Sequence, residues 1–321
     1  MSIEISLIIP MYNEEDNIET LFKRVIDTLE KLKLTYEIIC VNDGSKDRTL
    51  EILINYHQTN QAIKVVNLSR NFGKDIALTA GIDCAHGNAV IPIDADLQDP
   101  PELIGEMIQK WQEGYDIVYA TRESRQGETW FKRFTANIFY ILLDKITKVH
   151  IPKNTGDFRL LDRQVVEAIK RLPERTRFMK GIFAWVGFKS ISIVFERQPR
   201  LQGNTKWNYW KLWNFALDGI TSFSVLPLKV WTYMGLVISI ISLVYASFLV
   251  IRTIFFGIDV PGYASLMVTI LFLGGIQLIT LGIIGEYLGR VYEEIKGRPL
   301  YLVRDLYGFE NQKLSNLPSS S

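Results

Sequence analysis

Two carboxylates lie one residue apart in the segment Asp94-Ala-Asp96, and their spacing indicates chemistry more directly than any other feature of this sequence. They follow an apolar run at residues 89–93 that is typical of a buried β-strand. Carboxylate oxygens at this spacing can converge on a hard divalent cation such as Mg²⁺ or Mn²⁺. The sequence has neither a G-x-G-x-x-G motif nor a P-loop, so a metal and charged side chains would have to offset the charge of a bound phosphate.

Short apolar strands and amphipathic helices alternate along the first ~120 residues and must position these carboxylates. This alternation predicts an α/β fold with a mostly parallel sheet. Strands are predicted at 5–9, 37–41, 64–68, 89–93 and 117–120, with helices on both faces, for example at 17–33 and 47–56. Ligands of such sheets bind beyond the carboxyl ends of the strands. A polar or charged side chain follows each predicted strand: Tyr12 and Asn13, then Asp43, Arg70, Asp94 with Asp96, and Arg122. We predict that they face one crevice, although ordinary loop residues would explain one or two of them.

Two further helices are predicted before the first long apolar stretch. Residues 129–148 place aromatic and aliphatic side chains at helical spacing, with Lys132 and Arg133 elsewhere on the surface, and a core-facing helix explains this pattern equally well. Trp207, Trp210 and Trp213 lie three residues apart on one face of the segment 207–223. Tryptophan favours the headgroup boundary, so we predict that this segment is an amphipathic helix in the membrane interface.

Two stretches without a charged residue, at 230–251 and 260–285, are each longer than the about 20 residues that a transmembrane helix needs. The short connection between them has one basic residue at its border, Arg252, whereas several Lys and Arg residues flank the outer ends. The positive-inside rule then places both termini and the catalytic region in the cytosol. We therefore predict an integral membrane protein whose first residues form a strand and not a secretory signal.

Composition excludes several classes of protein. Lys and Arg number 36 against 35 Asp and Glu, a net charge of +1, so we expect no nucleic-acid partner. A hydrophobic content of 48% with 22% charged residues excludes a disordered chain. Cys40 and Cys84 are the only cysteines and lie in apolar segments, which excludes a disulfide framework and favours a reducing compartment.

Four motifs together resemble the large GT-A family of inverting glycosyltransferases, whose core is Rossmann-like. They are Pro10-Met-Tyr-Asn-Glu14, Asn42-Asp-Gly-Ser45, Asp94-Ala-Asp96 with Gln98-Asp-Pro-Pro101, and Gly156-Asp-Phe-Arg-Leu160. The sequence is most similar to the polyisoprenyl-phosphate branch, which includes dolichol-phosphate mannose synthase and bactoprenol glucosyltransferase. Glu286-Tyr-Leu-Gly-Arg290 and Lys296-Gly-Arg-Pro299 are also similar to the bactoprenol enzymes, so the resemblance covers nearly the whole chain.

The resemblance implies a UDP-sugar donor, with Tyr12, Asn13 and Asp43 on the uridine and Asp94 and Asp96 on a Mg²⁺ or Mn²⁺ bound to the diphosphate. The full set of predicted donor-binding residues is Pro10, Tyr12, Asn13, Glu14, Asp43, Arg70, Asp94, Gln98, Arg200 and Lys206. Arg200 and Lys206 resemble a basic loop that closes on the diphosphate, although Asn204-Thr205 replaces the more usual Glu-Ser.

On the acceptor side, Asp157 lies where the family has its candidate general base, and Asp157 and Asp96 are the predicted catalytic residues. The acceptor implied is a polyisoprenyl monophosphate, whose second pKa of about 6 makes it mostly a dianion at neutral pH. Asp157 then either orients the acceptor, tunes the metal site or only braces Arg159. Arg122 is predicted to hold the acceptor phosphate, and Lys132 and Arg133 match the acceptor-phosphate arginine of the family loosely.

The activity that the resemblance implies is transfer of a hexose, predicted to be glucose, from a UDP-sugar to undecaprenyl (bactoprenol) phosphate, with inversion at the anomeric carbon. The resemblance places this reaction at the cytosolic face of the bacterial inner (plasma) membrane. The predicted divisions are a nucleotide-sugar core at 1–125, an acceptor side at 126–205, an interfacial helix at 206–229, a transmembrane hairpin at 230–286 and a cytosolic tail at 287–321. Gly274-Gly275, Gly282 and Gly285 favour close helix packing and hence a homo-oligomer. Two alternatives are a processive polysaccharide synthase, whose Gln-x-x-Arg-Trp motif is missing here, and a non-catalytic membrane scaffold with the same fold.

Overall fold

The computed structural model of the chain describes residues 3–122, 152, 155–172, 174–175, 177–195, 226–256 and 262–309. The chain divides into two compact units, Met1–Ala216 with Arg298–Ser321, and Leu217–Gly297. The predicted helix at 129–148 and the predicted interfacial helix at 207–223 lie outside the described residues.

The first half of the sheet consists of parallel strands connected by helices. In chain order these elements are β1 (Ile5–Met11), α1 (Ile18–Leu32), β2 (Tyr36–Asn42), α2 (Thr49–Thr59), β3 (Ile63–Leu68), α3 (Lys74–Cys84) and β4 (Ala89–Pro92). β1 pairs in parallel with both β2 and β4, and β2 pairs in parallel with β3. Successive β1 residues such as Leu7, Ile8 and Ile9 are fully buried, which is the pattern of a strand covered on both faces. The predicted α/β fold is confirmed, and these strands and helices lie where the sequence predicted them.

The second half makes the sheet mixed, where the sequence predicted a mostly parallel one. Its elements are α4 (Ile104–Gln112), β5 (Ile117–Arg122), β6 (Thr155–Asp162), α5 (Arg163–Lys170), α6 (Met179–Trp185) and β7 (Ser190–Phe195). β6 lies between β4 and β5 and is antiparallel to both, while β7 is parallel to β5. Because β6 runs the opposite way, its first residues lie at the edge of the sheet where β4 and β5 end.

The last described strand, β8 (Val303–Tyr307), was not predicted and lies in the segment predicted as a cytosolic tail. It pairs antiparallel with β3, so the chain returns to the first unit after the long helices. The Tyr301 hydroxyl donates to the Asp83 carboxylate at 2.8 Å, and the Ser69 N–H donates to the Leu302 carbonyl at 2.9 Å. These contacts attach the returning segment to α3 and to the end of β3.

The second unit contains two long helices, α7 (Leu226–Phe256) and α8 (Tyr263–Ile295). Within the described residues one segment, Phe272–Ile295, is long and apolar enough to span a membrane, with a mean hydropathy of 1.4 and none of it buried. Within the part of α7 whose side chains are described, a shorter apolar segment runs from Tyr233 to Tyr245. One candidate membrane helix is thus present in this part of the chain, and the pair of spans at 230–251 and 260–285 is not confirmed.

A buried carboxylate stabilises the edge of the sheet where the parallel strands begin. Glu37 of β2 is 1% exposed and accepts hydrogen bonds from the Ser6 hydroxyl at 2.5 Å, the Lys64 ammonium at 2.7 Å and the His86 backbone N–H at 2.7 Å. Burial alone would raise the pKa of Glu37, but the bonds from His86, Lys64 and Ser6 outweigh it and lower the pKa to about 2. The ionised side chain therefore contributes to the stability of the fold.

Glu37→Gln is expected to lower the free energy of unfolding of the first unit by about 3 kcal/mol at neutral pH. The folded-state pKa lies below the unfolded one, so this contribution is complete above about pH 5 and is lost as the pH falls towards 2. Thermal unfolding of the purified protein from pH 7 to pH 3 should show wild type and variant converging as the pH falls. Glu113→Gln, which removes only an exposed pair with Lys110, is the control. A pH-independent difference would contradict the assignment.

Candidate active site

A lysine that the sequence analysis did not single out joins two of the predicted acidic residues. Lys74, the first residue of α3, places its ammonium 2.7 Å from the carboxylate of Asp94 and 2.5 Å from that of Asp157. Asp94 follows β4, and Asp157 lies near the start of β6, so the two carboxylates come from neighbouring antiparallel strands. This bridge, the pair of contacts that Lys74 makes, joins the predicted metal ligand Asp94 and the predicted catalytic carboxylate of Asp157 through one ammonium group.

Burial and charge act against each other in this cluster. Burial favours a neutral Asp157, but the positive charges of Lys74 and Lys180 outweigh it and hold the pKa of Asp157 well below its usual range. Burial likewise favours a neutral Lys74, and Asp157 and Asp94 hold the pKa of its ammonium above the usual value. The pKa of Asp75 shifts the other way: burial and, to a smaller extent, the negative charge of Asp157 raise it to about 7. Asp157 is therefore an ionised carboxylate that accepts a proton poorly at neutral pH.

The loop after β4 has the chemistry of a divalent-cation site. Asp94 is partly exposed, and Asp96 accepts a hydrogen bond from the Gln98 backbone N–H at 3.2 Å. Leu97, between Asp96 and Gln98, is buried in the left-handed region with φ 55°, a conformation that costs a bulky residue energy and often occurs at functional sites. No cluster of three His, Cys, Asp or Glu ligands occurs among the described residues. Two carboxylates nevertheless fit Mg²⁺ or Mn²⁺, since Mg²⁺ usually completes its ligand set with water and substrate phosphates.

The loops after β1 and β2 are joined by hydrogen bonds. The Asn13 N–H donates to the Ser45 hydroxyl at 3.0 Å, and the Asn13 side-chain oxygen accepts from the Lys46 N–H at 2.8 Å. Asn13 has φ 54°, which asparagine tolerates better than most residues. The Glu14 N–H donates to the Thr49 hydroxyl at 2.9 Å, and its carboxylate accepts from Asn17 at 2.7 Å. Tyr12, Asn13 and Glu14 follow the last pairs between β1 and β2, and the hydrogen bonds of Asn13 and Glu14 join this loop to the β2–α2 turn.

Asp43 braces the loop that leads to Lys74. Its two carboxylate oxygens accept from the backbone N–H groups of Phe72 at 2.7 Å and Gly73 at 3.0 Å. Burial raises the pKa of Asp43 even though these bonds and the charge of Arg70 oppose the shift. Gly44 permits this approach, because a Cβ there would lie 2.5 Å from the carbonyl carbon of Arg70. Each oxygen of Asp43 keeps a second lone pair for a ligand N–H.

The β3–α3 loop therefore connects the two halves of the site. Asp43 holds Gly73, and the next residue, Lys74, holds Asp94 and Asp157. Arg70 stacks on Phe72 with its guanidinium carbon 4.0 Å from the ring centre, so it lies on this loop beside Asp43. Hydrogen bonds and ion pairs thus connect the ends of β2 and β4 through the loop that follows β3.

Arg122, at the end of β5, lies beside Gly156, the residue before Asp157. Its Nη2 is 3.4 Å from the position that a Cβ of Gly156 would occupy, so the missing side chain of Gly156 leaves room for it. The Nε of Arg122 and the Oδ1 of Asp157 are buried and have no hydrogen-bond partner among the described residues. Buried polar atoms without partners are uncommon and mark this as a place where a polar ligand fits.

Arg159 has a structural role, because both of its contacts are with neighbouring protein groups. Its guanidinium donates to the Gly156 carbonyl at 2.6 Å and lies 4.1 Å from the ring centre of Phe183. Arg159 therefore braces the first residues of β6, where Asp157 lies. Four of the predicted site residues, Lys132, Arg133, Arg200 and Lys206, lie outside the described residues.

Sequence reasoning missed Lys74, although a signal for it was present. The rule that ligands bind beyond strand ends pointed to the loop after β3, and only Arg70 of that loop was selected. Lys74 lies at the helix start that closes the same loop. Its role depends on β6, whose position between β4 and β5 no local pattern indicates.

The chain matches two family models and is similar to several known proteins along nearly its whole length. The family model of glycosyl transferase family 2 matches residues 6–170, and the model of the GtrB C-terminal hairpin matches residues 226–291. An uncharacterized glycosyltransferase of Synechocystis sp. is 71% identical over 99% of this chain and 100% of its own length. A bactoprenol glucosyl transferase of Shigella phage SfII is 50% identical over 94% of this chain and 97% of its own length. A prophage bactoprenol glucosyl transferase homolog of Escherichia coli is 49% identical over 94% and 98% of the two chains.

Proposed function

Since the chain belongs to glycosyl transferase family 2, we propose that it transfers glucose from UDP-glucose to a polyisoprenyl phosphate of the bactoprenol type. The observation that carries this proposal is the identity of about half of all residues with bactoprenol glucosyl transferases over nearly their whole length, including the C-terminal hairpin. The protein is a glycosyltransferase with an α/β fold of the GT-A kind and a mixed sheet.

The donor is proposed to bind along the surface formed by the β1, β2 and β3 loops. Tyr12 and Asn13 would contact the uridine, and Asp43 would accept from the uracil N–H with a lone pair that its backbone bonds leave open. Pro10, Glu14 and Arg70 are further proposed donor contacts, and hydrogen bonds to Thr49 and Asn17 hold Glu14 in place. Arg200 and Lys206 remain proposed contacts of the diphosphate.

Asp94 and Asp96 are the residues proposed to hold Mg²⁺ or Mn²⁺, with Gln98 as a contact of the metal loop or the sugar. Such a cation, when bound, neutralises charge that develops on the departing diphosphate. The ammonium of Lys74, which contacts Asp94, contributes a second positive charge beside the proposed metal site. The leaving group is thereby stabilised without a glycine-rich phosphate loop.

In the proposed reaction an oxygen of the lipid phosphate attacks the anomeric carbon, the bond from that carbon to the UDP oxygen breaks, and UDP leaves with the bonding electrons. Attack from the face opposite UDP inverts the anomeric centre. The phosphate is mostly a dianion at neutral pH and needs no base. Asp157, which Lys74 holds ionised, is therefore proposed to orient the acceptor and not to remove a proton.

Arg122 is proposed to hold the acceptor phosphate, with Lys132 and Arg133 as further basic residues on that side. Its planar guanidinium suits a phosphate, and its buried Nε has no partner among the described residues. A phosphate bound there would satisfy that donor next to Asp157.

Arg122→Ala is expected to raise the KM for undecaprenyl phosphate about tenfold or more, the loss typical of a charge-assisted hydrogen bond. The KM for UDP-glucose should change less than twofold, because Arg122 is not on the donor surface. Initial rates at varied lipid and fixed donor, and then the reverse, separate the two constants. Arg171→Ala, which removes an exposed arginine at the end of α5, is the control. An equal loss of donor affinity would move Arg122 to the diphosphate.

The membrane arrangement is also a proposal. Apolar side chains such as Leu243, Phe255 and Leu278 are more than two-thirds exposed on α7 and α8, which supports burial of both helices in lipid. We propose a hairpin that spans the bacterial inner membrane twice, with the interfacial helix of Trp207–Trp213 before it and both termini in the cytosol. A Cβ at Gly274, Gly275, Gly282 or Gly285 would meet no atom within 4 Å in one copy of the chain, so these faces can accept a second copy.

The experiment that tests the donor offers the purified protein in lipid vesicles UDP-glucose, UDP-galactose, UDP-N-acetylglucosamine and GDP-mannose, each radiolabelled, with undecaprenyl phosphate. Label extracted into organic solvent should be highest with UDP-glucose. Equal or higher transfer from another donor would overturn the assignment of glucose while leaving the lipid acceptor intact. Absence of transfer from every donor would favour the non-catalytic scaffold.

A further inference from the structure

A row of polar side chains crosses the sheet near the ends of β2 and β3. Asn42 of β2 is in register with Asn67 of β3, and Asn67 is in register with Asp305 of β8. The Asn42 amide nitrogen donates to the Asn67 side-chain oxygen at 2.8 Å, and the Asn67 amide nitrogen donates to the Asp305 carboxylate at 2.7 Å. Asn42 and Asn67 are 2% and 4% exposed, so these bonds replace water that neither amide can reach.

The carboxylate at the end of the row fixes the direction of every bond in it. A carboxylate accepts and does not donate, so Asn67 must present its NH₂ group to Asp305 and its oxygen to Asn42. Asn42 must then present its own NH₂ group to Asn67. Its oxygen is thereby directed to the Ser45 backbone N–H, which lies 3.3 Å away.

The row ends in the turn that the proposed donor site uses. The Ser45 hydroxyl accepts from the Asn13 N–H at 3.0 Å, and Asp43 and Gly44 lie between Asn42 and Ser45. Asn13 and Asp43 are the residues proposed to contact the uridine. A reversed Asn42 amide would place NH₂ against the Ser45 N–H, two donors facing each other, and would loosen this turn.

We propose that Asp305, on the strand that follows the helical unit, is a positioning residue of the donor site. Through Asn67 and Asn42 it fixes the turn at residues 42–45 and with it the surface that receives the nucleoside diphosphate. The inference rests on the proposed function for the identity of the donor. It assigns to β8 a part in donor binding, although β8 lies at the far edge of the sheet and more than 200 residues along the chain from the turn.

The test compares Asp305→Ala with Asp305→Asn in the full-length protein, with UDP binding measured by calorimetry in the presence of Mg²⁺. Asp305→Ala should bind UDP about fivefold more weakly, since the row loses the acceptor that orients it. Asp305→Asn should restore most of the affinity, because its side-chain oxygen can still accept from Asn67. The KM for the donor should rise in Asp305→Ala by the same factor while the KM for the lipid stays constant.

The matched control is Tyr301→Phe, which removes a hydrogen bond from the same returning segment without touching the row. It should lower the thermal unfolding midpoint at least as much as Asp305→Ala and leave UDP affinity unchanged. Wild-type affinity in Asp305→Ala would overturn the inference, and so would an equal loss in Tyr301→Phe, which would mean that any loosening of the segment weakens the site. If wild type itself fails to bind UDP, the proposed donor is wrong and the inference falls with it.

Discussion

Asp96→Ala is expected to lower glucose transfer to the lipid at least about a hundredfold, the loss typical when a group that stabilises the leaving charge is removed. Asp96 lies in the loop after β4 beside Asp94, and these two carboxylates are the proposed ligands of the divalent cation. Initial rates with saturating UDP-glucose and undecaprenyl phosphate measure the loss. Asp94→Ala should weaken metal-dependent donor binding, which calorimetry with UDP and Mn²⁺ reports separately.

Chelation should reproduce both effects in wild type. Asp27→Asn, which neutralises an exposed carboxylate on α1, is the control for a change of charge alone and should transfer glucose at the wild-type rate. Full activity of Asp96→Ala in excess EDTA would show that neither the residue nor a metal is required, and the metal assignment would then be wrong.

Lys74→Met is expected to lower kcat about 10- to 70-fold. The substitution leaves the carboxylates of Asp94 and Asp157 close together without the cation that separates them. Removing one partner of a fully buried pair costs about 3–5 kcal/mol. Lys74 is 45% exposed, so solvent screening should reduce that cost to about half. Lys74→Arg retains the charge and should recover part of the rate.

Lys180→Met is the matched control for Lys74, because Lys180 also acts on Asp157 through its charge. Its loss should reduce kcat only several-fold. Equal impairment of the two variants would mean that total charge matters and not the bridge, and wild-type activity of Lys74→Met would remove the bridge from the mechanism.

The parts of the site that follow parallel strands could be predicted from the sequence. Apolar runs and turn residues placed β1 to β5, and the rule that ligands bind beyond strand ends then selected Asn13, Asp43, Asp94 and Arg122. In the structure Asn13 is bonded to Ser45 of the β2–α2 turn, and Gly73 and Lys74 connect Asp43 to Asp94. Local patterns suffice here because each residue follows its own strand directly.

The parts that depend on long-range pairing could not be predicted. Asp157 was identified by its motif alone, since nothing local indicates that β6 enters between β4 and β5 in the antiparallel sense. β8 is a five-residue strand whose two charged residues, Arg304 and Asp305, are adjacent and do not alternate with apolar ones, and only its pairing with β3 makes Asp305 part of the sheet. The two membrane spans were predicted from hydropathy alone. Among the described residues, one segment of α8 is long and apolar enough to span a membrane.

The central claim is that the protein moves a sugar from a nucleotide to a lipid phosphate, and a stoichiometry measurement tests it most directly. Purified protein in vesicles is given UDP-[¹⁴C]glucose with and without undecaprenyl phosphate, and both released UDP and lipid-extractable label are counted. We predict one labelled lipid for each UDP released, and neither product without the lipid phosphate. Release of UDP without labelled lipid, or label that remains on the protein, would contradict the claim.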